Sequence, residues 1–140
     1  MVEASDNLSL NFRPELNILV CRFIQPIPSA LLRQAYGKAL QTAQEYQARY
    51  WLFDLRRRGP ISAEDEKWIL EYFFPQAESQ VKALQYFAYL VTPSHYVHIR
   101  EVVSTDKLAN YSPLTHISIF DSEDKALDWL ALNQTADARA

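Results

Sequence analysis

Apolar and polar residues alternate at the start of the chain, with Leu8, Leu10 and Phe12 set against Ser9, Asn11 and Arg13. A period of two predicts a half-buried strand. Arg13-Pro14-Glu15 interrupts the pattern, and Leu16 to Ile24 then runs with only Asn17 and Arg22 polar, as expected of a strand covered on both faces. The opening therefore reads as a hairpin feeding a central strand. Pro26 and Pro28 stop that strand because each lacks the amide a ladder needs, and Ser29 is placed to cap a helix. From Ala30 to about Arg49 the period changes: Leu32, Tyr36, Ala39, Ala43, Tyr46 and Tyr50 recur at steps of three and four, along one helical face. Gly37 inside this helix costs about 1 kcal/mol relative to alanine, so either another backbone packs closely there or the cost is simply tolerated.

Trp51 to Leu55, with Asp54 as its one charge, reads as a second buried strand, and Arg56 to Pro60 as a loop. Ser62 before Ala63-Glu64-Asp65-Glu66 predicts a helix start, since a serine cap and early acids suit the positive end of the helix dipole. Trp68, Ile69, Tyr72 and Phe73 form the apolar stripe, and Pro75 is expected to end or kink the helix. Leu84 to Val91 is another strand. His95 to about Asp106 is predicted helical, Lys107 to Pro113 a polar connection, and Ile117, Ile119 and Phe120 a last short strand. Asp121-Ser122 then caps a helix whose Ala126, Leu127, Trp129 and Leu130 face inward.

The order predicts an α/β domain: a single mixed, mostly parallel sheet of about five strands with four helices, in which right-handed crossovers join the parallel strands. Leu16 to Ile24 and Trp51 to Leu55 should be parallel and adjacent, since a helix joins them. No linker or repeat divides the chain, so residues 1–132 form one domain and residues 133–140 a polar C-terminal tail.

Composition narrows the function. The 140 residues match a single domain, and a hydrophobic fraction of 49% is too high for a disordered chain. It is expected to fold alone or as a modest oligomer such as a homodimer. A net charge of −3 lacks the basic excess that nucleic acid requires, so no nucleic-acid partner is expected. There are two glycines, Gly37 and Gly59, too few and too far apart for a phosphate loop or a dinucleotide fingerprint. Cys21 is the one cysteine and sits in an apolar run, so it reads as a small hydrophobe. With no basic leader and no apolar run of about 18 residues, the expectation is a cytoplasmic protein without a membrane span.

Trp51-Leu52-Phe53-Asp54-Leu55 leading to a capped helix, and Phe120-Asp121-Ser122-Glu123 leading to Ala126-Leu127-Asp128-Trp129-Leu130, resemble the SpoIIAA-like branch of the STAS superfamily, the sulfate transporter and anti-sigma-factor antagonist domains. The likeness spans Leu8 to Leu132. It implies a small, non-enzymatic regulatory or protein-interaction domain, of a kind used in bacterial signalling. That branch is also compared with Sec14-type lipid-binding domains, which implies a small apolar or lipid-type ligand as the alternative. Anti-sigma antagonists carry a phosphorylatable serine at the helix start after the third strand. The matching stretch here is Gly59-Pro60-Ile61-Ser62-Ala63, in which only Ser62 fits.

Asp54, Arg56, Arg57, Arg58 and Ser62 cluster at the carboxyl end of a strand, where open α/β sheets bind ligands, and form a candidate surface for an anion or an acidic partner. Each has a plainer reading: a helix cap for Ser62, a brace for Asp54, a solvated loop for the arginines. Trp68, Tyr72 and Phe73 are the candidate wall of an apolar cleft, or else core. His95 and His98, with Glu101 a turn on, have helical spacing but too few ligands for zinc; no metal or cofactor is expected. Ser94-His95 are sequence neighbours and no Gly-x-Ser-x-Gly elbow exists, so no catalytic residue is assigned, and a hydrolase or metal enzyme ranks third. A cavity of several hundred cubic ångströms beneath the second helix would favour the ligand reading; a filled core behind an exposed serine-bearing loop would favour the regulatory one.

Overall fold

Because successive side chains on a strand point to opposite faces, six strands sort the apolar residues into two layers. The computed structural model describes residues 2–4, 7–102, 108 and 110–139. The elements are β1 (Val2–Ala4), β2 (Leu8–Arg13), β3 (Ile18–Phe23), α1 (Ser29–Tyr46), β4 (Tyr50–Asp54), α2 (Ala63–Trp68), a π-helical turn (Ile69–Phe73), α3 (Phe74–Val81), β5 (Gln85–Leu90), α4 (Pro93–Val102), β6 (Thr115–Phe120) and α5 (Glu123–Arg139). The strands lie in chain order in one mixed sheet. β1–β2 and β2–β3 are antiparallel, and β3 to β6 are mutually parallel.

This is the α/β architecture expected from the alternation, with α2, the π-turn and α3 forming one continuous helix. β3 and β4 are parallel neighbours, with Leu19 opposite Trp51 and Arg22 opposite Asp54. The structure adds the short edge strand β1, for which the alternation gave no signal. It also shortens β3: Leu16 is exposed and Asn17 sits in a turn with φ 56°, a left-handed conformation that asparagine tolerates. α1 stops at Tyr46 with Gln47 left-handed, so Tyr50 opens β4 and is not on the helix. α5 continues to Arg139, through most of the stretch expected as a polar tail. The part of the third predicted helix over residues 103–106 lies outside the described residues.

Three crossovers step across the sheet in one direction, and right-handed connections then put all of them on one face. Burial agrees. Leu10, Leu19, Cys21, Phe23, Trp51, Phe53, Phe87, Tyr89, Ile117 and Ile119 share a core with Leu32, Tyr36, Ala39 and Ala43 of α1 and Ile69, Phe73, Phe74 and Ala77 of the bent helix. The opposite face carries a smaller core, in which Val20, Leu52, Ala88 and Leu90 meet Ala126 and Leu130 of α5. Polar atoms inside the large core find partners: Trp51 Nε1 donates to Gln85 Oε1 at 3.1 Å, and Gln85 Nε2 donates to the Ala77 carbonyl at 3.0 Å.

Pro75 neither ends the helix nor stands alone. The Phe74 amide bonds the Ile69 carbonyl five residues back, Pro75 has no amide to give, and the Leu70 carbonyl accepts the Tyr111 hydroxyl. The wider turn changes the buried stripe: Phe74 joins Phe73 in the core and Tyr72 swings out to 53% exposure. A π-turn before a proline frees a carbonyl that another group must then satisfy. Around Gly37 nothing approaches within 4 Å of an added Cβ, so close packing does not account for it.

Candidate functional site

The loop after β4 sends its three arginines to three environments. Arg56 turns outward and back: Nε donates to Asp54 Oδ1 at 3.0 Å, Nη2 to Oδ2 at 2.9 Å, and its amide to Oδ1 at 3.1 Å. Arg22 of β3 bridges Asp54 and Glu123 at 2.8 and 2.7 Å, which ties the first turn of α5 to the sheet. Two cations and two carboxylates thus neutralise one another. Burial pushes the Asp54 carboxyl up, but the hydrogen bonds from Arg56 and Arg22 outweigh it and hold it below the ordinary aspartate range. Glu123 is likewise held low, chiefly by Arg22. Arg57 is exposed.

Arg58 turns inward. Gly59, at φ 74°, takes a left-handed conformation that suits glycine and lets the chain reverse beside the sheet. The Arg58 side chain is only 5% exposed. Its Nη1 donates to the Tyr36 hydroxyl and its Nε to the Gly59 carbonyl, both at 3.2 Å, and the guanidinium carbon lies 5.5 Å from the centre of the Phe23 ring. Both hydrogen-bond partners are neutral. Among the described residues no carboxylate pairs with Arg58, and Nη2 makes no hydrogen bond to any of them.

Beside Arg58 lies a cavity of about 80 Å³, at the carboxyl ends of β4, β5 and β6 and beneath the bent helix. Leu55, Tyr89 and Ile119 come from the strand ends, Ile69, Leu70 and Phe74 from the π-turn and its end, and His95 and Ile99 from α4. Glu66 also lines it, outside ion-pair distance of Arg58. The Tyr89 hydroxyl lies near that of Tyr36, yet it is buried without a hydrogen-bond partner. Burial pushes both phenols up, against the pull of Arg58. His95 is 5% exposed; burial, then the charges of Arg58 and His98, lowers its pKa, which favours the neutral imidazole.

The remaining candidates separate from this site. Ser62 caps α2, accepting the Asp65 amide at 3.1 Å. Ser29 does not cap α1; its hydroxyl donates to Asp65 Oδ1 at 2.7 Å and joins the two helix starts. Trp68 and Tyr72 stack on each other, ring centres 5.3 Å apart, over a surface groove shared with Gln41 and Gln44 of α1. Phe73 is core, 2% exposed. All three nevertheless line this one groove, of about 390 Å³, and Arg33, Gln41, Gln44, Gln76 and Gln80 make its lining mixed where a wholly apolar cleft was expected. Ser94 Oγ lies 3.4 Å from Thr92 Oγ1 and the His95 amide bonds the same threonine. His95 and His98 have ring centres 6.4 Å apart, and no group of three metal-ligating side chains gathers among the described residues. Burial pushes the Cys21 thiol far up, so it stays protonated and unreactive.

Composition and spacing gave no reason to separate Arg58 from its two neighbours. The usable signal was position: Gly59-Pro60 directly after it marks a reversal, and a residue at such a reversal can point back under the sheet edge. Tyr36 and Tyr89 lie in predicted apolar patterns and read as core, whereas His95 reads as a surface or capping histidine and is instead buried to 5% exposure. No family model, no curated protein and no solved structure matches the chain. Among the described residues no helix is long and apolar enough to cross a membrane.

Proposed function

We propose that the chain is a small-ligand-binding domain without turnover, acting in the cytoplasm, with its site in the cavity between the strand ends, the π-turn and α4. One observation carries this reading: Arg58 is a nearly fully buried cation with no anionic partner among the described residues. A buried charge left unpaired is costly, and folds that keep one ordinarily pair it or neutralise it. The cavity stands where parallel sheets bind ligands, and a π-turn builds one wall, a feature frequent at functional sites. Its volume limits the ligand. An apolar cavity of about 150 Å³ holds benzene, so about 80 Å³ holds less, and a lipid chain does not fit.

The test is a cavity-filling variant. Ile99→Phe or Leu70→Phe in a dry, unused void should raise the unfolding midpoint and change nothing else, whereas in a ligand site it abolishes the stabilisation that a bound small molecule confers by mass action. A ligand-induced rise in midpoint that is equal in wild type and both filled variants contradicts the reading.

The STAS-like regulatory reading keeps one observation of its own: Arg57 and Ser62 are both exposed on the loop beside this cavity. Its support is limited by Arg56 and Arg58, which are committed elsewhere and leave Arg57 to face a phosphate at Ser62. A phosphorylated peptide spanning Ser62, in protein isolated from its own cells, would raise this reading; its absence under all growth conditions would lower it.

A further inference from the structure

We propose that the ligand of this cavity is a small organic monocarboxylate, its carboxylate held by Arg58 and Tyr89 and its short apolar tail lying against Ile69, Leu70, Phe74 and Ile119. The inference rests on the ligand-cavity reading and adds the chemical class. Three observations fix that class. Among the described residues Arg58 has no carboxylate within ion-pair distance, and Glu66 already brings one negative charge to the lining, so a ligand with a single negative charge beside Arg58 is suited and a dianion would leave a surplus in apolar surroundings. Nη2 of Arg58 and the buried Tyr89 hydroxyl are donors with no acceptor among the described residues, and a carboxylate supplies two acceptor oxygens suited to a planar guanidinium. The rest of the lining is mostly aliphatic or aromatic, which accepts hydrocarbon and offers little to a polyhydroxylated or polyphosphorylated molecule. At about 80 Å³, less than benzene needs, the space suits a carboxylate with a tail of about one or two carbons.

The anion also completes the phenol chemistry. Tyr36 already accepts from Arg58 Nη1, so its own proton is free to point toward Tyr89. Tyr89 can then accept from Tyr36 while donating to the carboxylate, which satisfies every hydroxyl in the cluster. Glu66 at the lining repels a second acidic group on the ligand, and this favours a monoacid over a diacid.

The experiment titrates the full chain with propionate, propionamide, 1-propanol and inorganic phosphate, with binding read from amide chemical shifts and calorimetry. Saturable propionate binding, with shifts centred on Arg58, Tyr89 and Leu70, is expected. Propionamide, of the same shape without the charge, should bind at least about tenfold more weakly. Arg58→Met should abolish the preference for propionate over propionamide, and Tyr89→Phe, which removes one oxygen at a folded position, should weaken propionate by about tenfold, the size of a charge-assisted hydrogen bond. The second variant keeps the test decisive should Arg58→Met fail to fold. Equal binding of propionamide, or tighter binding of phosphate than of propionate, overturns the carboxylate assignment and leaves the ligand cavity standing. If no probe shifts any cavity resonance, both readings fall.

Discussion

Arg56 and Arg58 leave the same loop two residues apart and reach opposite electrostatic ends. Arg56 joins Arg22, Asp54 and Glu123 in a network with equal numbers of cations and carboxylates, on the face covered by α5. Arg58 enters the aromatic core on the other face and meets only a hydroxyl, a carbonyl and a ring. The first arrangement is complete as it stands and explains itself as structure, since it fastens α5 to the sheet. The second is incomplete: among the described residues no carboxylate lies within ion-pair distance of the cation, and the Tyr89 hydroxyl beside it has no hydrogen-bond partner. Balanced charge marks the part of the strand ends that holds the fold together, and unbalanced charge marks the part that meets something else.

Breaking the closed side should cost most. Asp54→Ala removes the acceptor shared by two arginines. Severing a fully buried pair costs about 3–5 kcal/mol, but Arg22 and Arg56 side chains are 36% and 45% exposed and can rehydrate. The expected loss in denaturant titration is therefore about 2 kcal/mol, with α5 loosening first in hydrogen exchange. A change below about 0.5 kcal/mol, the size of an exposed surface pair, would show that the network is ornamental.

Ser62→Ala tests the loop that separates the two sides. Loss of its capping bond to the Asp65 amide should lower stability by about 1 kcal/mol, in protein never exposed to a kinase. An unchanged midpoint would free Ser62 from its structural role and strengthen the regulatory reading.

The two sides should also differ in pH response, by smaller amounts. Asp54 and Glu123 have folded pKa values below their ordinary 3.8 and 4.5, so the unfolded chain takes up protons first, and their contribution, present above that range, is lost as pH falls through it. His95 is lowered from 6.5, so the unfolded state again binds the proton first, and a shallow loss of stability should begin as pH falls below 6.5. His95→Gln should remove that shallow limb and spare the acid one. A limb of the same depth in the variant would place its origin elsewhere.

How much of this could be read from residues alone differs between the two sides as well. The strands and the α5 face were legible because period-two and helical repeats report which side of an element is buried, and Ala126, Leu127, Trp129 and Leu130 pack toward the sheet as their spacing implied. Ser62 was legible because capping is local chemistry. The cavity was not, because it depends on events that no local pattern encodes. The π-turn before Pro75 exchanges Tyr72 for Phe74 in the buried stripe, and the left-handed Gly59 aims one arginine of three beneath the sheet edge. Tyr36, Tyr89 and His95 come from α1, β5 and α4, and only the crossover geometry brings them together. The expected arginine cluster therefore exists as sequence but is divided as structure, whereas Trp68, Tyr72 and Phe73 meet along one groove whose other lining is largely polar.

The most direct measurement is the unfolding free energy of Arg58→Met in the absence of any ligand. If the buried guanidinium is held for a ligand at the expense of stability, a methionine of similar length should leave the fold at least as stable, and about 1 kcal/mol more stable once the unanswered charge is gone, a gain moderated by the partner lost to Tyr36. A drop of about 2 kcal/mol or more would show that Arg58 is a structural brace like Arg56, and the contrast between the two sides would disappear.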